Sequence, residues 1–267
     1  MSNVEIPPEE FVQSTTKPVE LYAFIDPLCA DCFDLQPTLR KLQVKYDQYF
    51  TLRIVVSTRL SALNTKVTKG KTDDEDNYAH PALPAVAIKA AELQGKRAGM
   101  RFLQKVQEQI FLNTKSCTNF NALKEIAETV ELDLQEFESD FKSNEASRAF
   151  QCDLYITREM EVTEVPTLVF FNENIEDEGL KVSGTYDFDV YKHILQEMVN
   201  EELVEKEPPT LDELFDRYET LSTHEVAAIY GVTPYMAERE LKKRTLLQQL
   251  ERIPQPETTH WRIKKYA

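Results

Sequence analysis

Glycine is scarce in this 267-residue chain, with six in all. No glycine-rich run of the kind that cradles phosphate occurs, so nucleotide binding through such a loop is not expected. Histidine is scarce too: His80, His193, His224 and His260 show no paired, metal-ligating spacing. Four cysteines in so long a chain do not make a disulfide framework and point to a compartment where thiols stay reduced. No apolar run approaches the length of a membrane span. The opening Met-Ser-Asn-Val-Glu-Ile-Pro-Pro lacks the basic and apolar regions of a secretory leader. Positive charge is in deficit, with 31 Lys and Arg against 46 Asp and Glu and a net charge of −15. That balance argues against broad binding to nucleic acid or to an anionic membrane surface. Local Ser/His/Asp motifs for hydrolysis are missing as well. These absences predict a cytoplasmic protein that works without cofactor, nucleic acid or membrane.

Apolar residues make up 42% of the chain, enough for a substantial core. The acid is unevenly spread. From Pro208 to Ala267 there are nine basic and nine acidic residues, so the remainder carries the whole −15. The asymmetry suggests two modules. Residues 1–17 read as a flexible lead-in, residues 18–207 as one domain, and residues 208–267 as a small C-terminal module.

Val19–Ile25 reads as a strand, Cys29 to about Tyr46 as a helix, and Phe50–Ser57 as a second strand. This is a βαβ unit, expected to give a parallel pair. Residues 65–78 read as an exposed loop. From about 80 to 158 the apolar spacing is helical throughout, with Asn119 or Asn121 as a cap and Phe137 and Phe141 one turn apart. Val165 to Phe171 reads as a strand, Leu180–Gly184 as an edge strand, and Asp187 to about Glu205 as a helix. Paired prolines at 208 and 209 mark a linker. Leu211–Tyr218, Thr223–Tyr230 and Thr233–Arg244 then read as short helices, and Thr259–Ile263 as a strand.

Cys29-Ala-Asp-Cys32 stands where the first strand hands over to the first helix. Two cysteines three residues apart at a helix start form a thioredoxin-type redox motif. Free backbone N–H groups there favour a thiolate. Asp26, Asp31 and Asp34 oppose this, since nearby carboxylates raise a thiol pKa. Three readings of Cys29 and Cys32 stay open: disulfide exchange with Cys29 as nucleophile and Cys32 as resolving thiol, a stress-reactive dithiol, and a vestige. Zinc needs a second close pair. Cys117 and Cys152 stand alone and read as buried or half-buried small apolar residues, so no metal is expected.

The order of elements, with Cys29-Ala-Asp-Cys32 and Val165-Pro166-Thr167, resembles the DsbA-like branch of the thioredoxin fold. The implied fold is an α/β thioredoxin-like (DsbA-like) domain with a helical insertion, followed by a small helical module. The resemblance implies that Pro166 is a cis-proline facing the dithiol. Glu164 adds negative charge there. Asp26-Pro-Leu-Cys-Ala-Asp-Cys32, the acidic body and the C-terminal module together resemble the YjbH/SpxH family. That likeness implies an adaptor that binds the stress regulator Spx and promotes its degradation by the ClpXP protease, with no catalytic residue of its own. The alternative is a cytosolic dithiol-disulfide oxidoreductase.

Ser222 to Lys243 reads like a helix-turn-helix. Ser222 or Thr223 caps the first helix, Gly231 makes the turn and Thr233 caps the second. Val226, Ile229, Val232, Ala237 and Leu241 would form the core. With the strand near Trp261 it resembles a small winged-helix module. DNA binding through Tyr235, Arg239, Lys242 and Lys243 competes with a protein-binding or packing role. Glu238 and Glu240 lie on the same helix, and carboxylates there repel phosphates.

Overall fold

The computed structural model describes residues 17–58, 64, 68–69, 78–172, 174, 179–255 and 258–264. Strand β1 (Val19–Ile25), helix α1 (Ala30–Tyr46) and strand β2 (Phe50–Val56) open the fold. Val19, Leu21, Ala23 and Ile25 point into one core while Phe24 points into another, following the two-residue pleat of a strand. β1 and β2 pair in parallel, Val19 opposite Phe50 and Ile25 opposite Val56. Within the stretch expected to be a loop, β3 (Thr68–Lys69) pairs antiparallel with β4 (Tyr78–Ala79). The rest of that stretch, like the lead-in to residue 16, lies outside the described residues.

Five helices follow: α2 (Leu83–Leu93), α3 (Lys96–Phe111), α4 (Phe120–Thr129), α5 (Leu134–Lys142) and α6 (Asn144–Glu159). They enclose one apolar core in which Phe102 meets Phe137 and Phe120 meets Phe141. Asn119, not Asn121, caps α4 by accepting from the Ala122 N–H at 2.9 Å. Gly95 joins α2 to α3 at φ 124°, a conformation open mainly to glycine. Cys117 is buried in this core as expected. Cys152 is not: it is exposed. The buried stripe of α6 runs through Ala146, Phe150 and Asp153, and Cys152 falls on the other side.

Strands β5 (Thr167–Phe171) and β6 (Leu180–Ser183) complete a sheet of order β2-β1-β5-β6. β5 runs antiparallel to both its neighbours. α1 and helix α7 (Phe188–Val199) pack on one face through Leu35, Leu39, Tyr191 and Leu195. α7 is shorter than expected because Asn200 enters the left-handed region at φ 56° and ends it.

The tail holds α8 (Leu211–Tyr218), β7 (Thr220–Ser222), α9 (Thr223–Tyr230), α10 (Pro234–Leu246), β8 (Leu250–Pro254) and β9 (Thr259–Ile263). β7 and β8 were not expected. They flank β9 in an antiparallel sheet. Leu214, Phe215, Val226, Ile229, Leu241 and Trp261 make the core, which also takes in Val44 of α1. Trp261 is fully buried, and its indole N–H donates to Thr223 Oγ1 at 2.9 Å. Ser222, rather than Thr223, caps α9 in a reciprocal capping box with Glu225.

The approach to the tail is anchored, not loose. Lys206 N–H donates to the Lys45 carbonyl at 2.9 Å, and Val204 N–H to the Tyr49 hydroxyl at 3.0 Å. Lys45 Nζ and Tyr46 OH both donate to the Glu205 carboxylate at 2.7 Å. The last turn of a helix leaves carbonyls without intrahelical partners, and here residues 204–206 use that end of α1. Among the described residues no helix is long and apolar enough to cross a membrane.

Candidate functional site

Two places on α1 gather chemistry. The first is its start. Cys29 is the N-cap, with extended φ and ψ, and its N–H donates to the Asp26 carbonyl at 3.1 Å. Asp26, itself buried, accepts from Leu28 N–H at 2.9 Å and so holds the turn into the helix. Cys29 is half-buried and its Sγ lies 3.7 Å from the Val165 carbonyl oxygen. The Val165–Pro166 peptide is cis. Thr167 Oγ1 donates to the Glu164 carbonyl at 2.7 Å, which pins the loop before β5.

Cys32 lies one turn into the helix and is fully buried. Burial drives its thiol far above the ordinary range. A backbone hydrogen bond from Asp26 pulls the other way, while Cys29 and the negative charge of Asp26 add to the rise. Cys32 is therefore a neutral thiol at physiological pH, and desolvation does more to keep it so than charge. Cys29, Cys32 and Pro166 come together at one corner. Beside it a cleft of about 730 Å³ runs between α6 and the Val162–Val165 loop, with Leu154, Tyr155 and Arg158 on its wall.

The second place is the middle of α1, where the tail docks. Arg40 is 8% exposed. Its Nη1 donates to the Thr220 carbonyl at 3.0 Å and to Glu225 Oε1 at 3.1 Å, and its Nη2 to Gln36 Oε1 at 2.6 Å. Glu225 thus does two jobs. One oxygen closes the capping box on Ser222 N–H at 2.7 Å, and the other meets Arg40. Glu108, on α3, forms the neighbouring node. It accepts from Lys105 at 2.8 Å, from Arg262 of β9 at 2.6 Å and from Thr220 Oγ1 at 3.0 Å. Burial pushes the Glu108 carboxyl up, but Lys105 and then Arg262 outweigh it and hold the group below its usual range. Phe33 stacks on Phe111 at 5.1 Å beside this seam. A crevice of about 440 Å³ opens there between Phe33 and Pro37 on α1 and Thr258 and His260 on the tail.

A family model described as thioredoxin matches residues 22–193. Among curated proteins, the chain is 39% identical to the ClpXP adapter protein SpxH of Bacillus subtilis, over 92% of this chain and 89% of that one. It is 41% identical to the ClpXP adapter protein SpxH of Shouchella clausii, again over 92% and 89%. The chain belongs to the SpxH family. The oxidoreductase DsbA from Xylella fastidiosa superposes with a TM-score of 0.51 at 15% identity, covering 70% of this chain and 87% of that one. That likeness shows a DsbA-like thioredoxin fold in this SpxH-family protein.

Sequence reasoning located the dithiol corner and missed the seam. Nothing in the sequence singles out Arg40 or Glu108, and the only signal at the seam is Glu225, placed near the start of the helix that Ser222 caps. Tyr235, Arg239, Lys242 and Lys243 lie on α10, away from the dithiol, and all four are exposed. Among the described residues no group of three or more His, Cys, Asp or Glu is placed to hold a metal ion.

Proposed function

We propose that this protein is a cytoplasmic adaptor that binds the transcription regulator Spx and promotes its degradation by the ClpXP protease, without catalysing a reaction of its own. One observation carries the reading. Similarity to the proteins named ClpXP adapter protein SpxH runs over 92% of the chain, so it takes in the tail and the seam as well as the thioredoxin-like body. An oxidoreductase needs only the body. An adaptor works by binding energy, raising the local concentration of a client at its protease. Two parts locked by buried ion pairs offer a rigid platform for that task.

A second reading, a dithiol-disulfide oxidoreductase, draws on the half-buried Cys29 at a helix start beside the Pro166 loop. The experiment that separates the two is Spx turnover by reconstituted ClpXP with the double variant Cys29→Ser, Cys32→Ser. Turnover close to that given by the unaltered protein is the expected result. Collapse of turnover with the thiols would overturn the non-catalytic reading.

A further inference from the structure

Most of α10 takes no part in holding the fold. Ala237 and Leu241 are its buried residues. Thr233 caps it, with Pro234 in its first turn, so it starts cleanly without outside help. Yet it carries large apolar groups into solvent: Tyr235 is 75% exposed, Met236 56% and Leu246 82%, with Leu247 just beyond at 66%. Elsewhere among the described residues such groups are fewer per element, with Tyr186 and Val190 at the start of α7 and Leu93, Tyr155 and Val204 single, and isolated cases are ordinary. A cluster on one short helix is not.

The cluster has a pattern. Tyr235, Arg239, Lys242 and Leu246 follow at steps of four, three and four, which places them on one face. Tyr235 and Leu246 stand about 16 Å apart along the axis at 1.5 Å per residue. Between them lie exposed cations. Lys242 pairs with Glu238 at 2.9 Å and Lys243 with Glu240 at 2.8 Å on the helix flank. Arg239 has no ion-pair partner among the described residues. α10 holds four cations against two carboxylates, in a chain of net charge −15, and Arg244 at its far end is taken up by Asp212 of α8 and by Glu240.

We infer that this face of α10 docks an acidic amphipathic segment of a partner protein, with apolar side chains meeting Tyr235 and Leu246 and carboxylates meeting Arg239 and Lys242. Charge complementarity selects that occupant. A basic segment would be drawn to the acidic body instead. Nucleic acid fits poorly, because apolar groups bound the stripe and Glu238 and Glu240 flank it. The inference deepens the adaptor reading, to which it adds a second contact separate from the dithiol corner.

The test uses the full chain and a labelled synthetic helical peptide with leucines and glutamates on one face, alongside its lysine counterpart. The acidic peptide should bind and the lysine peptide should not. Arg239→Glu with Lys242→Glu should weaken acidic-peptide binding about tenfold or more and favour the lysine peptide. Tyr235→Ala with Leu246→Ala should weaken it by a similar factor. Both pairs are exposed, so an unchanged Tm and circular dichroism spectrum should accompany the loss. Equal binding of the two peptides, or binding unmoved by either variant, overturns the inference. So does tighter retention of duplex DNA than of the acidic peptide, or a dimer that Tyr235→Ala with Leu246→Ala dissolves. Spx turnover by ClpXP keeps the two readings distinct. If the unaltered protein fails to speed turnover, the adaptor reading falls and the peptide result stands. If it speeds turnover and neither peptide binds α10, this inference alone falls.

Discussion

The start and the middle of α1 are built very differently. At its start, Cys29 makes one long contact to the Val165 carbonyl and stays half open to solvent, with Cys32 sealed beneath it. Three turns on, Arg40 makes three hydrogen bonds, Glu225 serves two partners, and Glu108 collects three donors from α3, β7 and β9. The motif that draws the eye in the sequence is thus the less constrained region. The positions that look like ordinary surface charge are the ones the fold over-determines.

The sharpest way to break this comparison is at Arg40. Arg40→Ala leaves the Glu225 carboxylate buried without its cation, and loss of one partner of a buried pair costs about 3–5 kcal/mol. Urea denaturation should show that loss, and hydrogen exchange should rise across α9 and β7. Replacing both partners, Arg40→Met with Glu225→Met, should cost less, about 1–2 kcal/mol, because no charge is left buried alone and the losses are the Ser222 N–H bond to Glu225 and the Arg40 bond to the Thr220 carbonyl. Equal destabilisation by the single and double variants would mean that packing, not charge, holds the seam.

A smaller effect should follow from pH. Burial lowers the pKa of His260 below its ordinary 6.5; Glu225 and Glu108 pull it up, while Arg40 pushes it down. The unfolded chain therefore binds this proton more readily than the folded one. Stability from this group is complete above pH 6.5 and declines as pH falls from there toward the folded pKa. Glu108 acts in a lower window. Its depressed pKa adds stability above about 4.5, which is lost as pH falls through the folded value. A His260→Asn variant should flatten the first decline and leave the second.

The smallest effect belongs to the dithiol corner. Cys29→Ser should change unfolding free energy by less than about 0.5 kcal/mol, in the range of surface substitutions. A loss of several kcal/mol would show that the corner is as tightly bound into the fold as the seam.

The contrast also explains what the sequence made legible. β1 and α1 announce themselves through an apolar run of strand length, a break at Asp26-Pro27 and a leucine stripe from Leu35 to Leu42. The helical insertion shows its three- and four-residue apolar steps for the same reason: local periodicity records which face is buried. β7 stayed hidden because its three residues run straight into the cap of α9. β8, Leu-Glu-Arg-Ile-Pro, carries two charges and a proline, which demote a run as a strand. The early end of α7 rests on Asn200, a residue tolerated in the left-handed region but not confined to it. Buried ion pairs leave no periodic trace at all. Arg40 and Glu225 are 185 positions apart, and only the docked tail takes them out of water. Cys152 failed for a related reason: a lone cysteine says little about which side of a helix it takes.

The anchoring of residues 204–206 on the end of α1 has a further consequence. Only Glu207 to Thr210 separate the tethered segment from the first residue of α8, and four residues reach at most about 14 Å when fully stretched. The tail is thus on a short leash as well as latched at the seam. A partner that bridges both halves meets them already at their working separation, and its association does not have to freeze a swinging arm. Severing the peptide chain near Pro208 would remove the leash and leave the latch, so a nicked molecule should travel as one particle until Arg40 loses its counterion.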